Sequence, residues 1–172
     1  VTFYPESLCP NGVEPITLMS GRTVSLPKAS VVFEAWTGRA PNSTYGHKAI
    51  LRFGTEPVFA ELAILRAFQA ENWEGRWIDN FGGKHRVGYW GSNAILPLPE
   101  GRAGLLADIR SIAQRRGGCF DVFCWRDGEV IFAEAKWKRK DHIRDSQRRW
   151  LEAALSLGLK INQFLIVEWT VA

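Results

Sequence analysis

The chain has 172 residues, 46% of them hydrophobic, with ten Phe, eight Trp and three Tyr, which is enough apolar mass to close one sizeable core. It has no window of 18 uncharged apolar residues and its start, VTFYPESLCPNG, lacks the basic and apolar blocks of a secretion signal; the expected setting is soluble, intracellular and cytoplasmic, with no membrane partner. The net charge of +4 is uneven: residues 136–149 carry seven basic against two acidic side chains, which leaves −1 over the rest of the chain and points to a polyanionic partner.

The chain begins at Val1 rather than Met and is read as a trimmed or excised piece. Residues 1–56 are rich in Pro and Gly, with apolar runs at 16–19, 23–26, 31–36 and 49–53. They are expected to form short strands or irregular cover, an N-terminal extension packed on a core of residues 57–172. Stretches 37–48 and 81–93 read as loops from their Gly, Asn and Ser content. Cys9, Cys119 and Cys124 are odd in number, and the last two fit neither a CxxC pair nor a zinc knuckle, so all three read as small core residues without disulfide or zinc.

Residues 57–71, PVFAELAILRAFQAE, predict a helix with Pro57 in its first turn and Glu61 in the middle of an apolar stripe of Val58, Ile64, Leu65 and Phe68. A second helix is predicted over 102–116, stopped by Gly117 and Gly118. Next, Asp127-Gly128 predicts a two-residue hairpin turn, because the type I′ geometry needs positive φ at both central residues. That register sets Arg126 opposite Glu129, Trp125 opposite Val130, Phe123 opposite Phe132 and Asp121 opposite Glu134; a four-residue loop keeps it, and an odd one breaks it. Lys136 falls on the Glu134 face, while Ile131, Ala133 and Ala135 point to the other. A third helix over 143–157 places Gln147 among Ile143, Trp150, Leu151 and Ala154, and 161–169 reads as a last strand.

Two carboxylates about 4 Å apart repel by about 4 kcal/mol at an effective dielectric near 20. A retained proton, a neighbouring cation or a divalent metal relieves this. Lys136 alone leaves the pair at −1 and an inward Glu61 would make it −2, which suits one or two Mg²⁺ or Mn²⁺ ions on Asp121, Glu134 and Glu61. Such a site can hydrolyse a phosphodiester, with Lys136 serving the water or the charge developing on phosphorus. Lys138, Arg139, Lys140, Arg144 and Arg148 follow as candidate phosphate contacts.

Asp121-Val122-Phe123, Glu134-Ala135-Lys136, Gln147-Arg148-Arg149-Trp150-Leu151, Gly118 and Gly158 together resemble the PD-(D/E)XK nuclease superfamily, closest to its VRR-NUC modules. The resemblance covers 117–169 well and 57–71 loosely. It implies an α/β, restriction-endonuclease-like fold, a central mixed sheet flanked by helices, and a Mg²⁺- or Mn²⁺-dependent nuclease acting on DNA, with endo or exo action left open. It also implies that Asp121 and Glu134 ligate metal, Glu61 completes the site, Lys136 serves the water and Gln147 lies at the site's edge. Phe120 stands where the family has Pro, and Trp137-Lys138 replaces its usual step after the Lys. The rival expectation is a catalytically inactive module of the same fold that binds nucleic acid within a homodimer or larger assembly; an RNA-cleaving enzyme would share the same site. His47, His85 and His142 lack ligand spacing and read as surface residues, His142 alone near the site. Trp73, Trp77, Trp90, Trp125 and Trp150 read as packing, with Trp137 the candidate base-stacking surface.

Overall fold

A computed structural model of the chain describes residues 3–80, 83–89 and 94–172. Among them are nine strands, β1 (Gly12–Thr17), β2 (Thr23–Ala35), β3 (Leu51–Phe53), β4 (Glu56–Val58), β5 (Glu74–Asp79), β6 (Lys84–Arg86), β7 (Val122–Arg126), β8 (Glu129–Trp137) and β9 (Phe164–Val171). Three α-helices accompany them, α1 (Ala60–Gln69), α2 (Glu100–Ala113) and α3 (Asp145–Ser156). The strands make one mixed sheet in the order β4-β3-β2-β9-β8-β7-β5-β6, with β1 added beside β2. β9 runs parallel to β2 and to β8, and the other pairs are antiparallel. The β8-α3-β9 passage is thus a parallel crossover, which requires a helix-length connection.

The hairpin forms as the Asp-Gly pair dictates. Asp127 and Gly128 both hold positive φ, 49° and 83°, and the ladder pairs Arg126 with Glu129, Trp125 with Val130 and Phe123 with Phe132. Phe123 and Phe132 stack with ring centres 4.3 Å apart. At Gly128 a Cβ would meet open space, so Gly128→Ala tests backbone conformation alone. A loss of about 1 kcal/mol is expected, read as a fall of about 2–4 °C in Tm; an unchanged melt would contradict the turn.

Period 2 sorts the hairpin and β9 into two cores. Phe123, Val130, Phe132, Phe164 and Ile166 pack with Leu106 and Ile109 of α2 and Trp150 and Leu151 of α3. Val122, Cys124, Ile131, Ala133, Leu165 and Val167 pack on the other face with Leu62, Leu65 and Phe68 of α1. Helices therefore cover both faces, which is why these strands read as nearly continuous apolar runs.

Several boundaries move from the sequence expectation. The runs at 23–26 and 31–36 belong to one strand, β2, whose Pro27 falls just outside the stretch paired with β9. Pro57 is not in a helix: residues 56–58 fold back on β3, pairing Val58 with Leu51, so α1 starts only at Ala60. α2 stops at Ala113 because Gln114 turns left-handed, φ 55°, before the two glycines are reached. Residues Ile161–Gln163 form a 3-10 turn ahead of β9. Within the predicted loop 81–93, β6 occupies Lys84–Arg86; Phe81, Gly82, Trp90 and residues 91–93 lie outside the described residues, as do Val1 and Thr2. Cys119 and Cys124 are buried, but Cys9 is exposed on the surface. Among the described residues no helix is long and apolar enough to cross a membrane.

Candidate active site

The hairpin ladder ends one residue earlier than its register predicts. Its last pair is Val122 with Ala133, and Asp121 leaves the β8 pairing, its carbonyl instead accepting from Ile78 N–H of β5 at 2.6 Å. Side chains continue the ladder where the backbones part. Asp121 N–H donates to Glu134 Oε2 at 3.0 Å, and Ala135 N–H donates to Asp121 Oδ2 at 3.0 Å. The expected neighbours are brought together, but as a reciprocal side-chain clasp rather than as a strand pair.

Burial sharpens the conflict between them. Glu134 is 3% exposed. The Asp121 carboxyl is pushed well above its ordinary range by burial first, then by the charges of Glu134 and Glu61. Glu134 is also raised by burial, against the pull of Lys136, Gln147 and the Asp121 N–H.

Lys136 lies on the Glu134 side of the sheet, as the period-2 reading requires. Its ammonium donates to Glu134 Oε1 at 3.0 Å, to the His142 carbonyl at 3.0 Å and to Gln147 Oε1 at 3.3 Å. Three bonds use its full donor set. Gln147 is held in turn by the start of α3: its Oε1 accepts from Arg144 N–H at 3.0 Å, while its Nε2 donates to Glu134 Oε1. Gly118 permits this closeness, because at φ 93° a Cβ would stand 2.1 Å from the Ser146 carbonyl of α3.

Glu61 enters from the other face of the sheet. It lies in the first turn of α1 rather than mid-stripe, because the β3-β4 hairpin delays the helix. A helix N-terminus favours a carboxylate. Its Oε1 is paired with Lys48, a residue that the sequence reading missed in the loop 37–48 and that no spacing signal marks. Burial works to lower the Lys48 pKa, but Glu61, with help from Asp121 and Asp141, outweighs it and holds the ammonium above its usual value.

These groups line one cleft of about 1030 Å³, with Lys140, Asp141, His142 and Arg144 also at its walls. Lys138 and Arg139 are exposed in the turn after β8 and do not line it; Arg148 is half-buried on α3, ion-paired with Asp145 at 3.3 Å. Trp137 stacks on Trp169 at 4.7 Å, and the Lys140 ammonium sits 3.5 Å from its ring centre, so packing already occupies it. Trp73, Trp77, Trp125 and Trp150 are buried as expected. His85 is half-buried rather than on the surface, His47 is exposed, and His142 meets the site through its carbonyl.

The donor set fits a hard divalent ion at Asp121 and Glu134. Both are oxygen ligands in a place that resists their charge, Glu134 buried and Asp121 half-buried, and Asp121 Oδ1 accepts no hydrogen bond from the described residues. The cleft lining carries five carboxylates, Glu61, Asp79, Asp121, Glu134 and Asp141, against four cations, Lys48, Lys136, Lys140 and Arg144, which leaves a formal charge of −1 for a cation. Among the described residues no three His, Cys, Asp or Glu side chains converge as a ready ligand set. Glu61, held by Lys48, would therefore act through water.

No family model matches this chain, and comparison with curated proteins and with solved structures finds no match.

Proposed function

We propose that the chain is a Mg²⁺- or Mn²⁺-dependent nuclease of restriction-endonuclease-like fold, hydrolysing phosphodiester bonds of DNA in the cytoplasm. The observation that carries this reading is the clasp of half-buried Asp121 with buried Glu134, held against Lys136 at the wall of an open cleft with cations at its edge. When bound, the ion acidifies its water and offsets charge on the phosphate. Asp121 and Glu134 would hold the ion, and Glu61, which lines the same cleft, would act on it through water. Lys136 must give up one of its three bonds to reach a substrate oxygen, and the ion pair with Glu134 is the one that an ion held by Glu134 would weaken. Lys140 and Arg144 position the backbone phosphate.

The test is incubation of plasmid, branched and single-stranded DNA, with RNA alongside, in Mg²⁺, Mn²⁺ or chelator. DNA cleavage with either ion and none with chelator is expected; cutting that persists in chelator overturns the reading, and preferential cutting of RNA transfers it to RNA. One feature favours a second reading, an inactive module that binds nucleic acid. The ammonium of Lys136 and the carboxylate of Glu61 are both engaged with protein partners. DNA binding without Mn²⁺ uptake in calorimetry would select that module.

A further inference from the structure

We propose that a second cleft, lined by Asp79, Asn80, His85, Arg110, Arg115 and Arg116, is a phosphate-backbone site for the same nucleic-acid strand that enters the carboxylate cleft. The inference rests on the nuclease reading and names how that site would hold its substrate. The second cleft has a volume of about 880 Å³ and shares Ile78, Asp79 and Asn80 with the first, so the two clefts adjoin at the end of β5.

Its chemistry is that of a phosphate receiver. Because Gln114 ends α2 in a left-handed turn, Arg115 and Arg116 leave the helix and join Arg110 at the cleft wall. None of the three guanidiniums has a hydrogen bond or ion pair to the described residues, and Arg110 Nε is buried without an acceptor. Asp79, the carboxylate among the described lining residues, is bound to Arg86 at 3.3 Å and so does not neutralise them. Cations near a helix C-terminus complement the helix dipole, but that does not explain a buried donor left without a partner. The planar guanidinium fork matches phosphate oxygens in pairs. The His85 imidazole is held below its ordinary value by burial, then by Arg110 and Arg76, consistent with a positive local field.

The experiment measures anisotropy of a labelled single strand of about 12 nucleotides, in Ca²⁺ or chelator to prevent cutting, across a salt series. The proteins are wild type, the exposed pair Arg115→Ala/Arg116→Ala, the triple variant adding Arg110→Ala, and the charge-keeping triple Arg→Lys, each checked by melting. Cleavage by the same proteins is followed in Mn²⁺. Removing one arginine–phosphate pairing lowers the magnitude of the salt slope by about 0.7. The pair is expected to lower the slope by about 1.4 and the triple by about 2, with binding weakened roughly tenfold or more at 0.15 M salt, and Arg→Lys restoring most of it. Weakened binding without any cleavage by wild type would keep this site and overturn the nuclease reading. Normal cleavage and an unchanged slope in a folded triple variant would overturn the site and keep the nuclease. A wild-type protein that binds no strand overturns both.

Discussion

Lys136→Ala is expected to reduce metal-dependent cleavage by about 10²–10³-fold, the loss typical when a preorganised donor is removed from a reacting centre. DNA affinity should change by less than about tenfold, because Lys140 and Arg144 at the cleft walls remain. The substitution also removes the cation nearest a buried acid: the Glu134 carboxylate would lose its 3.0 Å ion pair. Breaking one side of a buried pair costs about 3–5 kcal/mol if the other stays charged. Glu134 can instead take up a proton, since burial already raises its pKa. Stability and chemistry are separated by melting Lys136→Ala beside wild type under the cleavage conditions. If the variant stays folded there yet cuts no DNA, the loss is chemical. Full cleavage by folded Lys136→Ala would remove this residue from the mechanism.

Asp121→Asn should weaken the pH dependence of stability. The folded Asp121 and Glu134 carboxyls have pKa values above their unfolded ones, so the native state holds more protons than the unfolded chain in that interval. Without metal, stability is therefore full below the ordinary carboxylate range and falls as pH rises through the raised values. A divalent ion stabilises the ionised pair, so its benefit should grow with pH as protons are displaced. At one hundred times Kd that benefit is about 2.7 kcal/mol, or roughly 5–11 °C in Tm for a chain of this size. Asp121→Asn retains an oxygen for the Ala135 N–H but removes one of the two charges. Its metal-free Tm should exceed that of wild type at pH 8, and Mn²⁺ should raise it little. Parallel curves of Tm against pH for the two proteins, with equal Mn²⁺ gains, would show that the clasp neither holds excess protons nor takes an ion.

The hairpin register and the shared side of Glu134 and Lys136 follow from local rules, an Asp-Gly turn and the two-residue strand period; the helix period puts Gln147 on the apolar face of 145–156, and its place beside them is implied by the family resemblance alone. Each depends on contacts within some twenty residues of chain, and such contacts leave a pattern in the sequence. The early helix was also legible, but its start was not, because β4 claims residues 56–58 through pairing with β3. That pairing moves Glu61 from mid-stripe to a first turn.

The sequence by itself determined that two acids and a lysine meet on a central hairpin, because side-chain direction in a strand is fixed by counting. Only the tertiary structure decided that Asp121 leaves the ladder to clasp Glu134 through its side chain, that Lys48 arrives to hold Glu61, and that Arg110, Arg115 and Arg116 share one wall of a second cleft. Those outcomes depend on which distant segments pack together, here β5 against β7 and the loop before β3 against α1. The free energy of such contacts resides in shape and charge between segments far apart in the chain, and no local period records it.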